Sequence, residues 1–492
     1  MRSIVKVCGV IACATSMLVA QAPRPITVED LLAMRRMSDP QLSPDGRWVA
    51  FTATDHSIAE NRTSSNIYLV ATTGGSVVQL TSSKGSNNSP RWLSSAQLAF
   101  VSTRDGESQV WTIPVTGGEA RKLSTLSTGA SGLQVSRDGA WVAFASEVFP
   151  DCPDDDCNQQ RSAAEGQRKS KAKVFDRLPY RVWNAWKDGR RSHLFVQSVA
   201  GGAARDLTPG DHDVPPIDLG GSWDYAFSPD GTEMAFTRNT DSTVATSTNN
   251  DLFLVPVGGG TARRITENPA NDAQPTYSPD GKFVAYLAME RPGFEADQHS
   301  LVLYDRASGT RRVVAGLTDL SVGEMAWSPD GKTIYFAADS RGNRSVFRVD
   351  VRDGNVQSVL VEGTNGGIRV TPDGRSLVLI HERMHQPAEV IRVDVNGKNL
   401  TRLTGFNDER VRSLVLPAKE DFWFEGSGGT KVHGLLLRPP GFQEGSRYPL
   451  VFLIHGGPQG QWADQFHYRW SAQLFAARGY VVALINPRGS TG

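Results

Sequence analysis

The chain has 492 residues, more than one hydrophobic core normally organises, so two domains are expected. Its 52 Lys and Arg residues balance 52 Asp and Glu residues, which leaves no net field to attract nucleic acid or an anionic membrane. With 48 Gly, 27 Pro and an apolar share of 39%, the composition favours many short strands joined by tight turns over helical bundles. Most of the chain is therefore predicted to be all-β, with no nucleic-acid partner.

Residues 1–22 have the pattern of a signal peptide. Two basic residues precede the apolar run Val7–Ala20, and a small-residue cleavage pattern ends at Ala22. The run is too short for a comfortable membrane span. A lipoprotein-type cleavage before Cys13 is an alternative, but it would leave a very short apolar stretch. The mature protein is expected to be exported, periplasmic or secreted, with no stable membrane span after signal removal.

A turn motif followed by a short apolar strand recurs along the chain, as in Ser43-Pro44-Asp45-Gly46 before Trp48-Val49-Ala50-Phe51. Pro fixes φ at the first central position of a type I turn, and the Asp side chain hydrogen-bonds to the local backbone. Gly adopts the left-handed conformation in which the turn ends. The copies begin at residues 43, 93, 136, 228, 278, 328 and 371, the second being degraded. Most are 43 or 50 residues apart, the length of one four-stranded blade.

These repeats predict an all-β propeller of about seven blades over residues 23–412. Between copies lie further strand patterns such as Asn66–Val70, followed by Gly-Gly turns and a short last strand. Separate β-sandwiches are the alternative, but they would not share one period.

The longest gap between copies contains a polar insertion at residues 151–175. It is acidic and then basic, with almost no large apolar residue, and this favours a solvated loop. Cys152 and Cys157 are the only cysteines left after signal removal. In an oxidising compartment they are expected to form a local disulfide.

His381-Glu382-Arg383-Met384-His385 matches the zinc-protease pattern His-Glu-x-x-His. That pattern works on a helix, where the two histidines share a face. Here it follows the strand pattern Ser376–Ile380, and two histidines four positions apart on a strand lie about 13 Å apart. The sequence therefore predicts no metal site and no cofactor.

Residues 413–492 change to a parallel-sheet pattern. Thr430–Arg438 is predicted as a strand, and the apolar run Pro449–Ile454 is predicted as a strand buried on both faces. His467–Arg478 has helical spacing, and Tyr480–Ile485 is a further buried strand. Together the last three segments predict a βαβ unit with a right-handed crossover.

The loop after the first buried strand reads His455-Gly456-Gly457-Pro458. At this junction an α/β-hydrolase supplies one of the two backbone N–H groups of its oxyanion hole, and glycine lets the backbone approach the substrate carbonyl. The loop is therefore a candidate oxyanion site.

The whole chain resembles the prolyl oligopeptidase family of serine peptidases, especially its acylaminoacyl-peptidase and dipeptidyl-peptidase branch. The resemblance is carried by the Ser-Pro-Asp-Gly turns, Trp183–Gly189 with Ser192–Phe195, His455–Pro458 and Asn486–Gly492. It implies hydrolysis of short peptides from the N-terminal side, with the propeller restricting access to a site between the domains.

The same resemblance assigns roles to individual residues. Gly457, or otherwise Gly456, donates the oxyanion N–H, while His455, Pro458 and Arg488 belong to loops beside the site. In dipeptidyl peptidases acidic propeller side chains bind the substrate amine, but nothing in this sequence singles out which acid would serve.

The sequence departs from the family at the catalytic residues. No Gly-x-Ser-x-Gly elbow occurs in it, so Ser, Asp and His of the triad are expected to be absent and the hydrolase domain incomplete. Ser490 is not expected to be the nucleophile, because Arg488 stands where the first elbow glycine should be. The chain by itself is expected to be inactive. The alternatives are a non-catalytic propeller that scaffolds protein or peptide partners, and a truncated product with a binding function only.

Overall fold

The computed structural model describes residues 22–83, 85–217, 219–221, 224–314, 317, 320–457 and 459–492. The predicted signal peptide thus lies outside the described residues except for Ala22. The described part begins with strand β1 (Arg24–Pro25) and helix α1 (Val28–Ala33). Thr27 caps this helix, since its hydroxyl accepts the Asp30 backbone N–H and the Asp30 carboxylate accepts the N–H of Thr27.

Seven units of four antiparallel strands follow in the described residues, and we call them units 1 to 7 in chain order. Units 6 and 7 are joined into one eight-stranded sheet by a parallel pairing of Arg344 with Thr364. Unit 1 contains β2 (Arg36–Leu42), β3 (Trp48–Ser57), β4 (Arg62–Ala71) and β5 (Val78–Gln79). Unit 2 contains β6 (Asn87–Ser94), β7 (Gln97–Ser102), β8 (Gln109–Pro114) and β9 (Arg121–Lys122). Unit 3 contains β10 (Ser131–Val135), β11 (Trp141–Val148), β14 (Arg191–Ser198) and β15 (Arg205–Asp206). The insertion between β11 and β14 carries helix α2 (Asp155–Gln167) and the hairpin β12 (Arg181–Val182) and β13 (Ala185–Trp186), so it extends beyond the predicted residues 151–175.

The remaining units repeat the pattern. Unit 4 contains β16 (Tyr225–Phe227), β17 (Glu233–Asn239), β18 (Asn250–Pro256) and β19 (Arg263–Arg264), with a 3-10 turn at Val244–Thr246. Unit 5 contains β20 (Asp272–Tyr277), β21 (Phe283–Ala288), β22 (Ser300–Asp305) and β23 (Arg311–Val313). Unit 6 contains β24 (Val322–Trp327), β25 (Thr333–Ser340), β26 (Asn343–Asp350) and β27 (Val356–Leu360). Unit 7 contains β28 (Thr364–Val370), β29 (Ser376–Arg383), β30 (Gln386–Asp394) and β31 (Thr401–Arg402).

The recurring turn has the chemistry that the sequence predicts. The Ser43 hydroxyl donates to the Asp45 carboxylate at 2.6 Å and accepts the Trp48 N–H at 2.9 Å. Gly46 has φ +71°, the left-handed conformation that favours glycine. A Cβ on Gly46 would also lie 2.9 Å from the ring of Pro372, in the equivalent turn of unit 7. The glycine therefore serves both the turn and the contact between neighbouring units.

The hydrophobic cores lie between units rather than within them. Each of seven buried clusters combines side chains of two successive units, and one of them joins Phe51 of unit 1 to Val378 and Val390 of unit 7. The first and last units thus pack together and close a ring. A ring of four-stranded antiparallel sheets with little helix is consistent with a β-propeller.

The insertion in unit 3 differs from the predicted loop. Helix α2 occupies thirteen of its residues, so the expectation of an irregular loop is wrong for that part. Asp154 caps the helix by accepting the Cys157 N–H, and Asn158 accepts the Phe149 N–H at 2.8 Å. These local polar contacts stabilise a helix whose surface is mostly exposed. In the structure Cys152 is bonded to Cys157 at its start.

After unit 7 come helix α3 (Asp408–Arg412) and strand β32 (Leu414–Val415), which pairs in parallel with β1. A second sheet then follows, which we call the C-terminal sheet. It contains β33 (Glu420–Glu425), β34 (Lys431–Leu437), β35 (Leu450–Ile454) and β36 (Val481–Asn486), with a 3-10 turn at Ser427–Gly429 and helix α4 (Ala472–Ala476). Their order is β33-β34-β36-β35, and β35 and β36 are parallel.

Two expectations for this region are wrong. The predicted helix over His467–Arg478 is helical only at α4, because His467 accepts the N–H groups of Arg469 and Trp470 in a turn instead. Strand β35 is not buried on both faces, since Ile454 is 75% exposed. It is the edge strand of the sheet, and one of its faces is open.

The segment before unit 1 packs with residues that follow unit 7. Ile26, Leu31 and Met34 share a buried cluster with Leu414 and Phe466. Among the described residues, no helix is both long and apolar enough for a membrane crossing.

Candidate active-site loop

The candidate oxyanion loop starts where β35 ends, at Ile454, and it runs beside the end of the neighbouring parallel strand β36. Gly457 has φ +125°, and a Cβ there would lie 2.5 Å from the Gln459 backbone nitrogen. Gly456 could carry a Cβ without meeting any atom within 4 Å. Backbone geometry therefore requires glycine at Gly457 and not at Gly456. Pro458 lies outside the described residues.

His455 contacts the segment that follows β36. Its Nδ1 lies 2.9 Å from the Gly456 carbonyl oxygen and its Nε2 lies 2.9 Å from the Ser490 hydroxyl. A carbonyl only accepts, so the tautomer of an uncharged ring that fits both contacts has its proton on Nδ1 and accepts the Ser490 O–H at Nε2. A serine donating to a neutral imidazole is the arrangement of a nucleophile and its base. Among the described residues no carboxylate is bonded to the His455 imidazole, and Ser490 lies in a turn closed by its own N–H donating to the Pro487 carbonyl oxygen.

Arg488 lies on the other side of that segment. Its guanidinium donates to the Ser427 carbonyl oxygen at 3.0 Å and to the Thr430 hydroxyl. Both partners belong to the turn between β33 and β34. Arg488 thus fixes the loop after β36 to a hairpin about sixty residues earlier in the chain.

Two anchoring residues were missed by sequence reasoning. Asn486, at the end of β36, accepts the Trp462 N–H at 2.7 Å and donates to the Trp462 carbonyl oxygen at 3.0 Å. Trp462 in turn donates its indole N–H to the Leu453 carbonyl oxygen. These bonds hold the segment after the candidate loop between β35 and β36.

The second anchor is Asp464, which is fully buried. Its carboxylate accepts the Met384 N–H at 2.7 Å and the Arg383 guanidinium at 3.1 Å, so it joins the segment after the candidate loop to unit 7. No sequence pattern marks this aspartate, because its partners are about eighty residues away.

The zinc-protease pattern lies on strand β29 and the turn after it. The side chain of His381 is bonded to Asn365 at 2.8 Å, and burial lowers the pKa of His381 to about 4. Within the described ranges, no three His, Cys, Asp or Glu residues are grouped so that they could hold a metal ion. His381 therefore fills a structural position between two strands.

The architecture is that of a propeller-like ring joined to a sheet with a parallel strand pair and a glycine loop. A family model described as a TolB beta propeller domain matches residues 32–149. Dipeptidyl-peptidase 5 of Porphyromonas gingivalis is 26% identical over 475 residues, which covers 95% of this chain and 68% of that protein. Dipeptidyl-peptidase 5 of Trichophyton schoenleinii is 27% identical over 514 residues, covering 97% of this chain and 69% of that protein.

Solved structures have the same fold. An acylaminoacyl peptidase in complex with Z-Gly-Gly-Phe-chloromethyl ketone superposes with a TM-score of 0.75 at 18% identity, covering 95% of this chain and 67% of that one. A puromycin-hydrolyzing peptidase of Mycobacterium tuberculosis has a TM-score of 0.66 at 16% identity, with 96% and 69% covered. Over about 95% of its length the chain is thus related to peptidases of the prolyl oligopeptidase family, as the sequence motifs predict.

Proposed function

We propose that this chain is part of an exported serine-type peptidase that hydrolyses short peptides from their N-terminal side. In this proposal units 1 to 7 are a seven-bladed propeller, and the C-terminal sheet is the first part of an α/β-hydrolase domain. The observation that carries the proposal is Gly457, which follows a parallel strand and has φ +125°, a conformation that favours glycine. Glycine is the residue that lets a backbone N–H approach a substrate carbonyl.

The two regions would divide the work. The loops of units 6 and 7 contact the C-terminal sheet, for example where Gln461 donates to the Asn343 carbonyl oxygen at 2.8 Å. A substrate reaching Gly457 would therefore pass the propeller, which would limit the size of the peptides admitted. The N–H of Gly457 would stabilise the oxyanion that forms when a serine attacks the scissile carbonyl.

The nucleophile would come from outside these 492 residues. They contain no Gly-x-Ser-x-Gly elbow, and the chain spans 68% of the length of its relative from P. gingivalis. We assign the contact between His455 and Ser490 a positioning role, in which it holds the candidate oxyanion loop against the segment after β36. Within the part of the chain that the structure describes, no carboxylate is bonded to His455, so the pair has no third member of a catalytic triad there.

Hydrolysis by a chain extended to the length of the relatives tests this proposal. The extended chain should cleave dipeptides from peptide substrates, and the 492-residue chain should not. In the extended chain Gly457→Ala keeps the backbone N–H but forces the loop to shift, because the new Cβ would lie 2.5 Å from the Gln459 nitrogen. Moving the donor out of place should lower kcat by up to about 10²- to 10³-fold, the cost of losing one oxyanion donor. Gly456→Ala is the matched control and should leave kcat within about twofold, since its Cβ meets nothing.

The variant Ser490→Ala distinguishes a positioning role of the contact between Ser490 and His455 from a nucleophilic role of Ser490. If the 492-residue chain hydrolyses peptides and Ser490→Ala abolishes this, Ser490 is a nucleophile and the positioning role is wrong. An extended chain that folds but hydrolyses none of its substrates would favour the second candidate, a propeller that scaffolds peptide partners. The missing elbow in these 492 residues is the observation that favours that candidate.

A further inference from the structure

The second half of the unit 3 insertion is strongly basic, although the chain as a whole is neutral. Residues 168–187, which we call the basic arm, contain seven Lys or Arg and one acidic residue, Asp176. Two of the cations tie the arm to the ring: Arg177 contacts Asp211 at 2.7 Å, and Lys187 contacts Asp213 at 3.6 Å. The other five make no ion pair with any described residue and are exposed: Arg168, Lys169, Lys171, Lys173 and Arg181.

The same arm exposes large apolar side chains. Trp183 is 92% exposed in the turn of the β12–β13 hairpin. In the same arm Trp186 stacks on both Phe175 and Tyr180, and the three ring centroids lie 5.8 to 6.2 Å apart. Leaving such groups in water is unfavourable, and exposed aromatics are enriched where proteins bind partners. Cations next to aromatic faces suit a partner that offers carboxylates along an extended chain.

The arm emerges on the face of the ring that bears the candidate loop. It connects the second and third strands of unit 3, and in a propeller all such connections emerge on one face. The equivalent connection of unit 6 contains Arg341, whose N–H donates to the Gly492 carbonyl oxygen. The equivalent connection of unit 7 contains Met384, which lines a cavity of about 590 Å³ together with His455 and Gly456.

We infer that the basic arm is a docking surface for acidic peptide segments on the face of the ring that leads to Gly457. Carboxylates of the peptide pair with the five free cations, and its apolar side chains cover Trp183 and the stacked rings. That the docked peptide is a substrate rests on the proposed function, whereas docking itself does not. An acidic peptide is favoured over a membrane because this face also carries the C-terminal sheet, which occupies the space that a flat bilayer would need.

Binding can be measured with the 492-residue chain, because no hydrolysis is required. Fluorescein-labelled decapeptides rich in Glu, Gln or Lys are titrated and followed by anisotropy, at low salt and at about 0.3 M salt, where exposed charges are screened within several ångströms. The Glu peptide should bind at least about tenfold more tightly than the Gln peptide, and this preference should shrink at the higher salt.

Two triple variants locate the surface. Lys169→Gln, Lys171→Gln and Lys173→Gln together should weaken Glu-peptide binding by about tenfold or more. The matched control is Lys282→Gln, Lys332→Gln and Lys398→Gln, three exposed lysines in turns on the opposite face, and it should leave binding unchanged. Trp183→Ala should weaken binding of both the Glu and the Gln peptides, because it removes apolar contact area and no charge.

The docking surface would be overturned by equal binding of the Glu and Gln peptides, by equal loss in the two triple variants, or by binding of phosphatidylserine vesicles in preference to the Glu peptide. Self-association that depends on the three arm lysines would assign the arm to a second copy of the chain and would also overturn it. An extended chain without hydrolytic activity would contradict the proposed function and leave peptide docking as measured.

Discussion

The ring of seven units and the C-terminal sheet contain equally apolar strands, but they bury them very differently. In the ring, the clusters between successive units are shielded from solvent. Side chains such as Phe51, Phe144 and Phe336 have no exposed surface. In the C-terminal sheet, Phe452 is 53% exposed and Ile454 is 75% exposed.

The difference shows that an apolar run is buried only where a neighbour is supplied. Each unit of the ring packs against the unit before it and the unit after it in the chain, and unit 7 packs against units 6 and 1. Among the described strands, β35 pairs only with β36, so its other edge and one face are open in this part of the chain. An open apolar edge recruits other chains.

Limited proteolysis is the strongest test of this contrast. Cleavage should remove the region after about Leu414 first, because the sheet has an open face while the ring buries its strands on both sides. Residues 24–34 should be lost with it, since Leu31 and Met34 pack against Leu414 and Phe466. Mass spectrometry of the digest should show a resistant product of about residues 36–412.

A full-length chain that resists digestion, or a ring that is cut as fast as the sheet, would contradict the contrast. Phe466→Ala sharpens the test, because it removes a fully buried side chain from the cluster that joins the N-terminal segment to the sheet. In this variant the protease should release residues 24–34 faster than it does from the unsubstituted chain. The rate of cleavage within the ring should be the same in both.

Two phenylalanine substitutions, one in the ring and one in the C-terminal sheet, measure the difference in burial as a difference in the free energy of unfolding. Phe336→Ala, in the cluster between units 5 and 6, should lower the free energy of unfolding of the ring by about 3–5 kcal/mol. Phe452→Ala, on the open face of β35, should change stability by less than about 1 kcal/mol. Urea unfolding followed by circular dichroism provides the values, and equal losses in the two variants would mean that β35 is covered in solution.

Buried carboxylates give the ring a pH dependence that the exposed face of the sheet lacks. Burial raises the pKa of Asp272 from 3.8 to about 7. The folded ring therefore keeps a proton that the unfolded chain loses near pH 4. The stability from this proton is complete below about pH 4 and is lost as the pH rises through about 7, by up to about 1.4 kcal/mol per pH unit.

Asp272→Asn should flatten the pH profile of ring stability between about pH 4 and pH 7, as measured by urea unfolding at several pH values. The control Asp280→Asn should leave this range unchanged. The Ser278 hydroxyl lowers the pKa of that exposed aspartate, so its contribution is lost only below about pH 4. A slope that survives in Asp272→Asn would assign the dependence to another group, such as Asp224, whose pKa burial raises to about 6.

The smallest expected effect is that of reducing the bond between Cys152 and Cys157. The closed loop is short and α2 is exposed, so the loss should be below the 2–5 kcal/mol typical of essential disulfides. The ring should survive reduction with its melting temperature lowered by only about 1–3 °C. Mass spectrometry of the unreduced protein after signal removal should find no free thiols, and two free thiols would contradict the pairing.

Several features could be read from the sequence because they depend on local chemistry. The turn at Ser43–Gly46 is specified by four adjacent residues, and a shared period of turns predicts a shared supersecondary unit. The loop at His455–Gly457 was found in the same way, from an apolar strand followed by two glycines. His381 was assigned to a strand because the apolar run before it continues through residue 380.

Other features were decided only by the tertiary structure, because they depend on residues that are distant in sequence. Nothing near Asp464 indicates that it binds Met384, and nothing near His455 indicates that Ser490 lies 2.9 Å away. Pro372 was predicted for its own turn, yet it also packs against Gly46 where the ring closes. The run Leu450–Ile454 determines a strand by itself, but the exposure of its side chains was set by which strands lie beside it. Local propensity acts over a few residues, whereas burial depends on what the rest of the chain places against them.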